Sequence, residues 1–326
     1  MKGIVAVVHG EPPNSYDNPM PEHLLDQVKL GPQGATDPAT NLMDRGFTYQ
    51  YHNWEILPLL GEGYEFRNMS LDKVPNHVIE YAFIYVGNFH LETSLSFLSS
   101  AFDSCRNVFL FHDLNSFWLL STALVFLEEH KEKITGLIVQ NPDIVNVVEK
   151  VTGIKTLVAV STTDGLEEDI KQVQEPTKEL LVAGGPNERG GIVGNTFAEY
   201  HFKGNYDVIQ RYPHELPKVL DGCANFYEHM ELDAWRKFIV DYKYIIDGTN
   251  GGCSYGRVGW DAFCSGRSFI SVKNRSYASY LFDAISINSE VDLADWEDIG
   301  WQEAHKLAKE RLVTKEDLHA MWLQVL

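Results

Sequence analysis

Two series of short apolar runs, each run parted from the next by a helix-length stretch, set the limits on how this chain folds. In the first series, residues 4–8, 81–86 (YAFIYV), 108–111 (VFLF), 137–139 and 156–160 alternate with helical patterns at 91–101, 117–130 and 144–151. Strands buried on both faces read as unbroken apolar runs, so this alternation predicts βαβ units around a mainly parallel sheet. A polar, acidic stretch over 161–179 then interrupts the pattern. A second series follows, with strands expected at 179–183, 206–209, 225–227, 244–246 and 268–272. Its helices are expected at 231–241, 256–264 and 276–284. The predicted fold class is α/β: two Rossmann-like domains, 1–160 and 161–301, facing each other across a cleft. The amphipathic tail, 302–326, is expected to pack back on the first domain. Residues 11–63 are rich in Pro, Gly and Asn and read as long loops over a binding face.

A length of 326 residues suits two domains, and 44% hydrophobic residues supply two cores. The apolar run at 4–8 is shorter than the roughly 7–15 residues of a secretory core and the roughly 20 of a membrane span. A cytoplasmic protein without a membrane span is the expectation. Cys105, Cys223, Cys253 and Cys264 form no C-x-x-C pair, which points to reduced, buried thiols rather than disulfides or zinc. The net charge of −19 disfavours nucleic acid as a partner, since phosphate-backbone affinity requires a Lys/Arg surface. It leaves room for one anionic pocket, and Arg189, Arg257 and Arg267 all lie in Gly-rich segments.

Three segments carry the chemistry. In LLVAGGPNERGGIVG (180–194) a strand runs into Gly184, Gly185, Gly190, Gly191 and Gly194 around Arg189. Glycines let backbone N–H groups approach a phosphate closely, and the arginine adds a fork of donors. The segment matches neither the dinucleotide fingerprint nor the P-loop; a surface turn is the plain structural alternative. In YIIDGTNGGCSYGRVGWDAFCSGRSFISV (244–272) a strand opens into a Gly-rich loop and a helix starts near Gly256. A helix start behind such a loop favours an anion through its free N–H groups and dipole. Arg257 would neutralise a diphosphate and Asp261 would accept from ribose hydroxyls; the structural alternative is an i,i+4 surface ion pair. In VFLFHDLNSFW (108–118) a strand ends in His112 and Asp113. Ligands in open α/β sheets sit beyond the carboxyl ends of strands, so the pair points to a site, with helix capping as the alternative. His9-Gly10-Glu11 and the 87–92 segment with His90 are comparable strand-end candidates.

At these segments, over roughly residues 80–275, the chain resembles the GT-B glycosyltransferases, particularly the retaining family 4 type. Phe111-His112-Asp113-Leu114 matches that family's His-Asp step, and AGGPNERGG (183–191) its loop after the linker. GRVGWDAFCSGRSFIS (256–271) resembles the second half of its acidic donor motif, with Asp261 for the second Glu. Ser254 stands where the first acidic residue is usual, and Ser268 replaces the motif's Pro. The resemblance implies a nucleotide-diphosphate sugar as co-substrate, with no cofactor and no metal. Gly184, Gly185, Arg189, Gly256 and Arg257 would hold the donor phosphates, and Asp261 the ribose. The base would lie near Asn225-Phe226-Tyr227. His9, Gly10, Glu11 and His90 would line the acceptor side, with His112 and Asp113 catalytic. A sugar-nucleotide epimerase using Asp113, Glu11 and Glu92 is the enzyme alternative, and a catalytically silent nucleotide-sugar binder is the alternative from another class.

Overall fold

The computed structural model describes residues 2–9, 18–19, 60, 63–70, 78–86, 98, 102–112, 117–139, 141–158, 175–183, 192–209, 222–228, 230, 232–247, 257–273, 276–289 and 291–326. These form two compact units: residues 1–162 with 313–326, and residues 163–312.

The first unit is built on seven strands: β1 (Gly3–His9), β2 (Asn18–Pro19), β3 (Tyr64–Ser70), β4 (Ile79–Val86), β5 (Cys105–His112), β6 (Gly136–Val139) and β7 (Thr156–Val158). Their order in the sheet is β2-β3-β1-β4-β5-β6-β7, and every pairing is parallel except that of β2 with β3. A parallel sheet has to be covered on both faces. On one face Ala82, Ile84, Val108 and Leu110 pack with Phe126 and Leu127 of α1 (Phe117–His130) and Val148 of α2 (Val145–Thr152). Alternate residues point the other way: Phe83 and Phe109 stack at 5.1 Å and meet Trp322, buried to 1% exposure. α2 stops at Gly153, whose φ of 75° is the left-handed conformation that closes a helix.

In the second unit β8 (Lys178–Ala183), β9 (Tyr206–Ile209), β10 (Asn225–Tyr227), β11 (Tyr242–Asp247) and β12 (Ser268–Ile270) form an all-parallel sheet ordered β10-β9-β8-β11-β12. Between the strands run α3 (Ile192–Phe202), α4 (Leu232–Ile239) and α5 (Arg257–Cys264). After β12 come α6 (Tyr277–Leu281) and α7 (Trp301–Glu310). The chain then returns to the first unit as α8 (Lys315–Trp322), which packs on β7 and carries Trp322. Of the tail expected on the first domain, α7 therefore belongs to the second unit, against β12, and α8 to the first.

The structure adds elements that the apolar pattern omits. β3 (YEFRNMS) is too polar to register as a run and lies one place from the sheet edge. α3 begins at Ile192, so Gly194 is a buried helical residue and not part of the Gly-rich loop expected to extend through it.

Candidate functional site

The second sheet has a topological switch point. From β8 the chain moves outward to β9 and β10; from β11 it moves the other way to β12. The connections leave the carboxyl ends of β8 and β11 in opposite directions, and ligands bind in the crevice that such a divergence opens. β8 and β11 are paired up to their last residues, Ala183 opposite Asp247. Segments 184–191 and 248–256, the two Gly-rich stretches, thus start from neighbouring strand ends and run into the first turns of α3 and α5. Arg257 is the first residue of α5. Gly184, Gly185, Arg189 and Gly256 lie outside the described residues.

α5 is seated closely. A Cβ placed on Gly259 would come within 2.3 Å of the Ala278 Cβ and 2.6 Å of Phe269, so the absence of a side chain there lets α5 approach α6 and β12. One turn past Arg257, Asp261 is only 4% exposed. Its Oδ2 accepts a hydrogen bond from the Trp235 indole Nε1 at 3.0 Å, and its Oδ1 lies 3.6 Å from the Arg236 guanidinium. Both partners are on α4, and a separation of 26 residues gives no local sequence signal for the contact.

The opposite, amino edge of this sheet carries a polar cluster absent from the sequence reading. Lys178 Nζ donates to Asp207 at 2.9 Å, Tyr227 at 2.9 Å and Tyr242 at 3.1 Å. Tyr242 and Asn225 also donate to Asp207, at 2.7 and 2.8 Å. Burial would raise the Asp207 carboxyl, but hydrogen bonds from Lys178, Tyr242 and Asn225 outweigh it and hold the pKa below its ordinary value. Burial likewise opposes the Lys178 ammonium, and bonds with Tyr227 and Asp207 leave its pKa raised. The hydroxyl of Tyr227, expected beside the donor base, belongs to this cluster, with its ring against Phe238 at 4.7 Å.

In the first sheet β1, β4 and β5 are adjacent and end together. His9 pairs with Tyr85, and Val86 with His112. His9 and His112 therefore close two strands flanking β4, about 10 Å apart at two inter-strand spacings. The chain leaves these strands at Gly10, Gly87 and Asp113. Gly10, Glu11, His90 and Asp113 lie outside the described residues.

Among the described residues no group of three His, Cys, Asp or Glu side chains could hold a metal, and no helix is long and apolar enough to cross a membrane. Burial pushes the Cys105 thiol up to about 12.

No protein-family profile and no curated sequence matches the chain. Solved structures do. A trehalose-6-phosphate synthase is similar over 98% of this chain and 97% of its own, with a TM-score of 0.50 and 10% identity. An alpha,alpha-trehalose-phosphate synthase from Burkholderia xenovorans aligns over 99% and 98%, at TM-score 0.46 and 11% identity. An alpha-glucosyltransferase in complex with UDP-glucose and DNA aligns over 99% and 95%, at 0.45 and 10%. With two parallel-sheet units in sequence and a trehalose-6-phosphate synthase similar along nearly the whole length, the chain adopts the GT-B glycosyltransferase fold.

Proposed function

We propose that the protein is a glycosyltransferase that takes a sugar from a nucleotide-diphosphate donor bound by the second unit. The observation that carries this reading is the pairing of Ala183 with Asp247, the residues that precede the two Gly-rich segments, each of which is followed in sequence by a helix start. Two helix N-termini at a switch point offer free N–H groups and positive dipole ends to one diphosphate. Arg189 and Arg257 supply the neutralising charge, and with the helix ends they stabilise the diphosphate as it leaves, a role that needs no bound metal. Gly184, Gly185 and Gly256 allow the backbone to come close. The acceptor lies over the first unit, where the strand-end segments bearing His9, Gly10, Glu11, His90, His112 and Asp113 emerge from β1, β4 and β5. There His112, with Asp113, orients the transferred sugar.

A thermal-shift screen with UDP, GDP and ADP tests the donor site. A nucleotide at a hundred times its dissociation constant adds about 2.7 kcal/mol of apparent stability. Arg189→Ala and Arg257→Ala are each expected to weaken binding by about 1.5–3 kcal/mol, the worth of a charge-assisted contact, with the fold intact. Calorimetric affinities unchanged in both variants would remove these segments from the site.

A further inference from the structure

α4 has an awkward task. It joins β10, at one edge of the second sheet, to β11, with β9 and β8 lying between them in the sheet. Its C-terminal end is well fixed: Ile239 is fully buried, and the Phe238 ring packs on Tyr227 and Tyr242 at 4.7 and 5.3 Å. Further towards its start the tie is polar, through Trp235 and Arg236 to the buried carboxylate of Asp261. α5 is the stationary partner, since Gly259 seats it against Phe269 and Ala278 while Trp260 and Phe263 are buried. A carboxylate that is 4% exposed is costly unless its charge is answered, and the indole N–H and the guanidinium answer it.

We infer that Asp261 is a positioning residue which fixes α4 on α5 through Trp235 and Arg236, and so shapes the nucleoside end of the donor site, instead of contacting the ribose itself. The inference rests on the donor-site reading above. The helix starts of α3 and α5 take the diphosphate. The nucleoside that extends from it meets α4, which begins beyond the same carboxyl edge of the sheet. Loosening the Trp235–Asp261 bond lets α4 drift while α5 keeps its seat. Nucleoside contacts then suffer and phosphate contacts do not.

The test is a double-mutant cycle read by calorimetry, with two probes: whichever of UDP, GDP and ADP binds the parent most tightly, and inorganic pyrophosphate. Trp235→Phe removes the indole donor and keeps an aromatic ring. It is expected to weaken the nucleotide about tenfold, on the scale of a hydrogen bond to a charged group, and pyrophosphate less than twofold. Asp261→Asn should do the same, and the double variant should bind no worse than Asp261→Asn alone. Arg236→Lys should retain parental affinity while Arg236→Ala loses it in the same direction; Arg236→Ala replaces Asp261→Asn in the cycle if the latter fails to fold. A Trp235→Phe protein that binds nucleotide like the parent, beside a weakened Asp261→Asn, would overturn the inference in favour of direct ribose contact. Losses that multiply in the double variant, or that fall equally on pyrophosphate, overturn it as well. A parent that binds none of the three nucleotides defeats the donor-site reading, and the inference with it.

Discussion

His305 on α7 is a base kept neutral by its surroundings. It is 8% exposed, lies against Phe263 at 5.1 Å, and its Nδ1 donates to the Arg267 carbonyl at 3.2 Å. Among the described residues Nε2 has no hydrogen-bond partner. Burial lowers its pKa to about 4, with the charges of Lys309 and Arg267 acting in the same direction and the carbonyl bond opposing. The unfolded chain protonates this imidazole near pH 6.5, and the folded chain only near 4. Between those values the unfolded state binds the extra proton, so stability falls as pH falls, by on the order of 3 kcal/mol for this group. Urea melts of parent and His305→Leu at pH 7 and pH 4.5 measure it. The variant should lose less stability than the parent on acidification, and equal losses would refute the assignment. His112 makes a second prediction at this scale. If it orients the transferred sugar, His112→Ala leaves nucleotide affinity near normal and cuts transfer by about 10²-fold. A cap for α1 would show the reverse, about 0.5–2 kcal/mol of lost stability with normal turnover of the folded fraction.

Among the elements, α5 depends most on a single residue. Gly259→Ala adds a methyl group where Ala278 and Phe269 already stand, and neither is the far end of a flexible side chain. Overpacking of this kind costs about 1–3 kcal/mol, and here it pushes the first turn of α5 away from the β8/β11 edge. Nucleotide-diphosphate affinity should fall along with melting temperature, whereas full affinity in a destabilised variant would mean that α5 does not touch the phosphates. The sequence makes α5 and the core strands legible for one reason. Strands such as Leu180–Ala183 are buried on both faces, so their apolar character is continuous and needs no tertiary knowledge. β3 escapes because a near-edge strand tolerates Glu65, Arg67 and Asn68 in its pattern. α3 escapes because its start adjoins glycines that read as loop. At the site, Asp261 could be singled out from its place behind a Gly-rich loop, but not its partner Trp235. The Lys178–Asp207–Tyr242 cluster is hidden in the same way, since it assembles from the first residues of separate strands.

At the scale of the whole molecule, Trp322 is the residue on which the first unit closes. It covers Phe83 and Phe109 from the face opposite α1 and α2. Trp322→Ala should cost about 3–5 kcal/mol through the cavity it leaves, read as a lowered melting transition. The chain passes from the first unit to the second after residue 162 and back after residue 312. On the ribosome the two units therefore do not mature in the order in which they begin. All five strands of the second sheet, and α7 against β12, have emerged before α8 exists, while Phe83 and Phe109 wait for the Trp322 ring that packs on them. The unit that starts first finishes last, and in that interval it presents apolar surface that a chaperone or another nascent chain can reach.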